Sequence, residues 1–110
     1  MATLLRLADH RRPATVTFAP QEFRRLISLY SVRVARGEWR DYALDHRQGA
    51  AAFSVFRHSF DRPLYLIVKT AASAARQAKY AVFSGPRKLI EGRTLDEVLA
   101  VFDRQPRAVS

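Results

Sequence analysis

Cysteine is absent from all 110 residues, which excludes a disulfide scaffold, a thiolate zinc site, an iron–sulfur centre and a cysteine nucleophile. Its absence also fits a reducing compartment. Long apolar runs are missing too. The longest run of large apolar residues, Leu64-Tyr65-Leu66-Ile67-Val68, falls far short of the ~20 residues that cross a bilayer, so no membrane-spanning helix is expected. Glycine is scarce, and Gly49, Gly85 and Gly92 stand alone, so no Gly-rich loop cradles a phosphate. Negative charge is in short supply: 10 Asp and Glu face 19 Lys and Arg, for a net charge of +9. Such an excess attracts nucleic acid, anionic headgroups or acidic protein surfaces. Arg outnumbers Lys 16 to 3, a bias that genome base composition also produces. Residues 1–93 carry 17 basic against 7 acidic residues, so the excess belongs to the body of the chain and not to a tail. No block of five or six like charges marks a basic arm.

What is present suffices for one core. With 48% hydrophobic residues the chain is not disordered by composition, and a domain of this length buries roughly two-thirds of its unfolded surface. We expect a flexible N-terminal arm over 1–13, a single α+β domain over 14–105 and a tail over 106–110. Val16 and Phe18 alternate with Thr15 and Thr17 as a short first strand would. Pro20 can open a helix, Phe23, Leu26, Ile27, Tyr30 and Val34 recur at helical spacing, and Gly37 supplies a left-handed stop. From Trp39 to Gly92 the period falls to two, and WRDYALD, AAFSVFR, PLYLIVK, KYAVFS and KLIEG read as strands separated by turn residues. The Ala-rich stretch 70–77 reads as a longer loop or a single helical turn. Thr94 to Glu97 forms a capping box, and Leu95, Val98, Leu99 and Phe102 mark an amphipathic final helix. The expected fold is thus an antiparallel five- to six-stranded meander sheet with an N-terminal and a C-terminal helix.

Antiparallel partners keep a constant index sum, so a tight turn at 47–50 sets Leu44 opposite Phe53, Tyr42 opposite Val55 and Arg40 opposite Arg57. The next turn is expected to pair Val55 with Leu66 and Phe53 with Val68. One face then holds Tyr42, Leu44, Phe53, Val55, Leu66 and Val68 as the core. The reverse face, which a one-sided sheet leaves polar, receives Trp39, Phe56 and Tyr65, with His58 and Lys69 nearby. Either a helix or a second subunit covers these rings, or they form a platform on which unpaired bases stack.

Reactive constellations are wanting. His46 and His58 lie ~23 Å apart at ~3.3 Å per residue and form no dyad, and neither they nor His10 belong to a helical His-x-x-x-His pair, so no metal site is expected. Asp41 and Asp45 share a strand, and a cross-strand charge pair between Asp41 and Arg57 explains them better than catalysis does. The spaced Phe53 and Phe56 fall on opposite faces, unlike the aromatics of an RNA-recognition strand. No catalytic residues and no cofactor are expected.

The segments GEWRDYALD (37–45), AFSVFR (52–57), PLYLIVK (63–69), Arg76-Gln77, Tyr80 and LIEGRTLDEVLAVFD (89–103) together resemble a small alphaproteobacterial domain-of-unknown-function family with WRDYA, FSVFR and PLY strand motifs. The resemblance spans about residues 18–103 and implies a bacterial, cytoplasmic, stand-alone domain. It implies no activity. One departure concerns Ala19, which stands where a good N-cap residue is expected.

The expected function is a non-enzymatic binding module for nucleic acid or another polyanion, with Arg24, Arg25, Arg36, Arg57, Lys69, Arg76, Lys79 and Arg87 as phosphate contacts. The competing expectation is a protein-interaction module or homodimer that uses the Trp39, Phe56 and Tyr65 face to meet an acidic protein or its own copy. A small enzyme ranks third, lacking any constellation.

Overall fold

The structure is a computed structural model that describes residues 15–58, 62–71 and 77–104. The N-terminal arm, the tail, most of the 70–77 stretch, and with them His10, Arg76 and Pro106, lie outside the described residues. Helix α1 (Pro20–Ala35) leads into strands β1 (Asp41–Arg47), β2 (Ala50–Phe56), β3 (Tyr65–Thr70), β4 (Lys79–Ser84) and β5 (Arg87–Gly92), and helix α2 (Leu95–Arg104) follows. The five strands form one antiparallel sheet in chain order. The fold is therefore α+β, a meander with a helix at either end of the sequence. Val16 and Phe18 do not make a sixth strand. That segment contributes an isolated bridge from Thr15 to Gln48 and a Val16 N–H bond to the Arg47 carbonyl at 3.3 Å.

Local chemistry accounts for the element ends. Ala19 offers no side-chain acceptor, and Glu22 takes over by accepting the Ala19 N–H at 2.7 Å. Gly37 adopts a φ of 75° just past α1, the left-handed turn that a Cβ disfavours. At α2 the Thr94 half of the capping box forms as expected, with the Glu97 N–H on Thr94 Oγ1 at 3.1 Å, while the Glu97 carboxylate accepts the N–H of Arg93, one residue before the cap, at 3.3 Å.

Between β1 and β2 the pairing follows the expected index sum, with Leu44 opposite Phe53 and Tyr42 opposite Val55. Between β2 and β3 it differs by one residue: Val55 meets Tyr65 and Phe53 meets Ile67. A one-residue shift turns every β3 side chain over. Tyr65, Ile67 and Lys69 therefore join Phe53 and Val55, while Leu66 and Val68 move to the reverse face. The strand PLYLIVK is apolar at both parities, so its pattern does not discriminate between the two registers; contacts to the helices do.

Both helices cover the Phe53 face. Phe23 and Tyr30 of α1 pack against Phe53, each with ring centroids 6.5 Å apart, and Phe102 of α2 lies 5.0 Å from Tyr65. Leu26, Phe53, Val55, Ile67, Val82 and Val98 are fully buried there, each stabilising the fold by ~1.5–3 kcal/mol relative to exposure. Tyr42 and Leu44, expected in the core, remain 39% and 40% exposed because β1 is the sheet edge, although Tyr30 and Phe23 of α1 lie 5.0 and 6.5 Å from the Tyr42 ring. Val34, on the expected apolar stripe, is exposed as well; Arg33 is the buried residue of that turn.

Candidate nucleic-acid interface

All the strand ends on one side of the meander converge. Arg40 enters β1 there, with its N–H on the Phe56 carbonyl at 2.7 Å, and Arg57 leaves β2. Two depressions open at this end and share Arg57 and His58. One, of about 560 Å³, continues past Arg62, Pro63 and Leu64 to Ser84 and Gly85. The other, of about 370 Å³, continues past Arg40 and Trp39 to Gly37 and Val34. Among the described residues no carboxylate lines either. Arg87 pairs with Ser84 at the same end of the sheet without itself lining either hollow. Among the described residues, Arg40, Arg57, Arg62 and Arg87 enter no ion pair. Placing like charges side by side across a ladder is unfavourable unless an anion or solvent screens them.

The eight expected phosphate contacts scatter. Arg57 and Arg87 come to the convergent end. Arg24 is exposed on α1 and Arg36 is exposed at its C-terminus. Arg25 bonds Asp96 at 3.0 Å, tying α1 to α2. Lys79 lies 3.7 Å from Glu91. Lys69 is a correction: with the β3 register shifted it lies under α1, where it donates to Glu22 Oε1 at 2.7 Å and to the Thr17 carbonyl at 3.1 Å, and its side chain is only 17% exposed. Its charge is spent within the fold. The expected Asp41–Arg57 pair is also corrected, since Asp41 sits opposite Phe56 and the nearest ion pair on β1 joins Asp45 to Arg47.

The aromatic platform does not form. Trp39 is 4% exposed, with its ring 5.4 Å from Phe102 and 6.3 Å from Tyr65, so two of the three rings lie on the helix side of the sheet. Phe56 is 6% exposed and projects from the other face, outside the main core cluster. Helix packing, not base stacking, occupies Trp39 and Tyr65.

Arg40, Arg62 and His58 are the site residues that sequence reasoning left out. A signal existed for Arg40, because the index sum set it opposite Arg57 and two facing guanidinium groups require a counter-charge. Arg62 carried none, being brought in by the chain's path before β3.

Two other charged centres are structural. Glu22 accepts hydrogen bonds from Lys69, from the Tyr80 hydroxyl and from the Ala19 N–H. Burial alone would raise its pKa, but these bonds and the Lys69 charge outweigh it and the net displacement is downward. Burial, and then Glu22, push the Tyr80 hydroxyl well above the usual phenol range. Arg33 bonds the Phe102 carbonyl at 2.7 Å and Glu38 at 2.6 Å, between the rings of Trp39 and Phe102. Among the described residues no group of His, Asp and Glu is arranged to hold a metal ion.

Comparison with curated proteins and with solved structures yields no match. The family described as "Protein of unknown function (DUF2794)" matches residues 16–99, from the first bridge to the middle of α2. With the whole sheet and both helix cores inside that match, the chain belongs to the DUF2794 family of proteins of unknown function.

Proposed function

We propose that this domain is a non-catalytic nucleic-acid-binding module whose phosphate contacts are Arg40, Arg57, Arg62 and Arg87, with His58 between the two depressions. The observation that supports the reading is the convergence of Arg40, Arg57 and Arg62 on hollows that no carboxylate among the described residues lines, with Arg87 at the same end of the sheet, in a chain of net charge +9. Guanidinium groups suit the role because their planar donors meet phosphate oxygens two at a time. Among the described residues no exposed ring platform supports base reading, so contact is with the backbone and binding is indifferent to sequence. Residence in the bacterial cytoplasm belongs to the same proposal.

Fluorescence anisotropy with labelled single-stranded and duplex oligonucleotides over a salt series tests it. Affinity falls steeply with salt, and Arg57→Gln with Arg62→Gln lowers the log–log slope by about 1–2 while leaving the thermal midpoint in place. Absence of binding at low salt, or a slope indifferent to the double substitution, refutes it.

A further inference from the structure

We propose that the nucleic acid taken at the convergent end is single-stranded, a short run of nucleotides laid across the strand ends through both hollows. The inference rests on the reading of Arg40, Arg57 and Arg62 as phosphate contacts and narrows it to one partner.

The lining of the hollows is mixed. The larger sets Arg57 and Arg62 beside Pro63 and Leu64, and the smaller sets Arg40 and Arg57 beside Val34 and the little of Trp39 that packing leaves bare. Pro63 is exposed and Val34 is 38% exposed, so these apolar groups stand open to whatever fills the hollows. A duplex suits such a site poorly. Its outer face is sugar and charged phosphate, and its base edges are reached only by an element that protrudes into a groove, whereas these sites are concave. Apolar walls pressed on that face would strip phosphates of water and offer no partner in return. An unpaired nucleotide carries both kinds of surface. Its phosphate meets the guanidinium groups, while its sugar and the flank of its base rest against the apolar wall without being read, so indifference to sequence is kept.

Continuity sets the length. The hollows share Arg57 and His58, so one occupant can pass from the end of α1 and the start of β1, over the end of β2, to the β4–β5 turn at Ser84 and Gly85. From β1 to β4 is three strand spacings of ~4.8 Å, or ~14 Å, which about four nucleotides cover at ~3.4 Å each. The cations follow the same line, with Arg40 at β1, Arg57 at β2, Arg62 ahead of β3 and Arg87 paired to Ser84 beyond. One cation to a strand suits the one row of phosphates on a single strand. A mononucleotide would fill one hollow and leave the guanidinium groups of the other without an anion.

The chain's one tryptophan, Trp39, borders the smaller hollow, so its fluorescence reports occupancy there. The test titrates the full chain at low salt with oligothymidylates of roughly one to twelve nucleotides and with a blunt hairpin duplex, following Trp39 emission and the anisotropy of labelled copies. The expected result is a single strand bound at least about tenfold more tightly than the duplex, an affinity that climbs to about four nucleotides and then levels, and a Trp39 emission that shifts in step. Val34→Ser weakens the single strand about threefold and narrows the gap, the scale of one methylene lost from contact. The comparison of strand with duplex needs no variant, so it decides even if Val34→Ser fails to fold. A duplex bound as tightly as the strand, a mononucleotide bound as tightly as a tetramer, a Trp39 emission indifferent to bound strand, or a gap untouched by a folded Val34→Ser overturns the inference and leaves the nucleic-acid reading standing. Binding of neither strand nor duplex ends that reading and this inference with it.

Discussion

Glu22 concentrates more of the fold in one side chain than any other residue. Its carboxylate joins the start of α1 to β3 through Lys69 and to β4 through Tyr80. Because its folded pKa lies below the ordinary 4.5, the unfolded chain takes up a proton first as pH falls. The stability Glu22 supplies is therefore whole above about pH 4.5 and fades as pH drops through the depressed value. Glu22→Gln should cost about 2 kcal/mol at pH 7, and that deficit should shrink toward pH 3, as followed by urea unfolding at stepped pH. Arg33 is the second such residue. Arg33→Ala strips Glu38, itself 17% exposed, of its partner and leaves the Phe102 carbonyl without its donor, so a loss of about 3 kcal/mol is expected in the same assay. Arg33→Lys should recover only part, since an ammonium cannot bond both acceptors while lying flat between two rings. Neither role was legible in the sequence. Each needs a distant partner, Tyr80 lying 58 residues from Glu22 and Phe102 69 from Arg33, and a one-dimensional pattern carries no such distance.

Elements were far more legible than contacts. The extent of α1, the turn at Gly37, the Thr94 cap of α2 and the first hairpin's register all follow from local spacing and from the turn that closes the hairpin. Thr94→Ala should therefore cost about 1 kcal/mol by losing one bond to an α2 N–H, measurable as a lowered thermal midpoint. Gly92→Ala should cost a comparable amount for a different reason: a Cβ there would lie 3.1 Å from Glu97 Cβ and 3.3 Å from Val98 Cγ1, forcing α2 away from β5. The one-residue error at β3 shows where local reading stops. A strand apolar on both faces fits either register, and the choice falls to whichever side chains the helices can bury and to where Lys69 can reach a carboxylate.

On the scale of the whole molecule, excess positive charge becomes meaningful only when sorted by partner. Lys69, Arg25, Arg33 and Arg47 face carboxylates within the chain, while Arg40, Arg57, Arg62 and Arg87 collect at one end and form no ion pair among the described residues. Lys69→Ala is thus the informative control for the proposed nucleic-acid contact. It should lower stability by about 1–2 kcal/mol yet leave the salt slope of binding unchanged, whereas Arg57→Gln should do the reverse; paired thermal melts and salt titrations distinguish the two.

Composition and periodicity alone determined that this chain folds as α+β, is strongly basic and lacks thiol chemistry, since residue counts and 2.0 against 3.6 periods are local quantities. Only the tertiary structure decided which sheet face the helices cover, that Trp39 and Tyr65 lie beneath them, and which cations remain without a carboxylate. The places of Tyr65 and Lys69 depend on one rotation of β3 about its own axis, that of Trp39 on the path of the chain before β1, and the contacts that select both come from residues far apart in sequence.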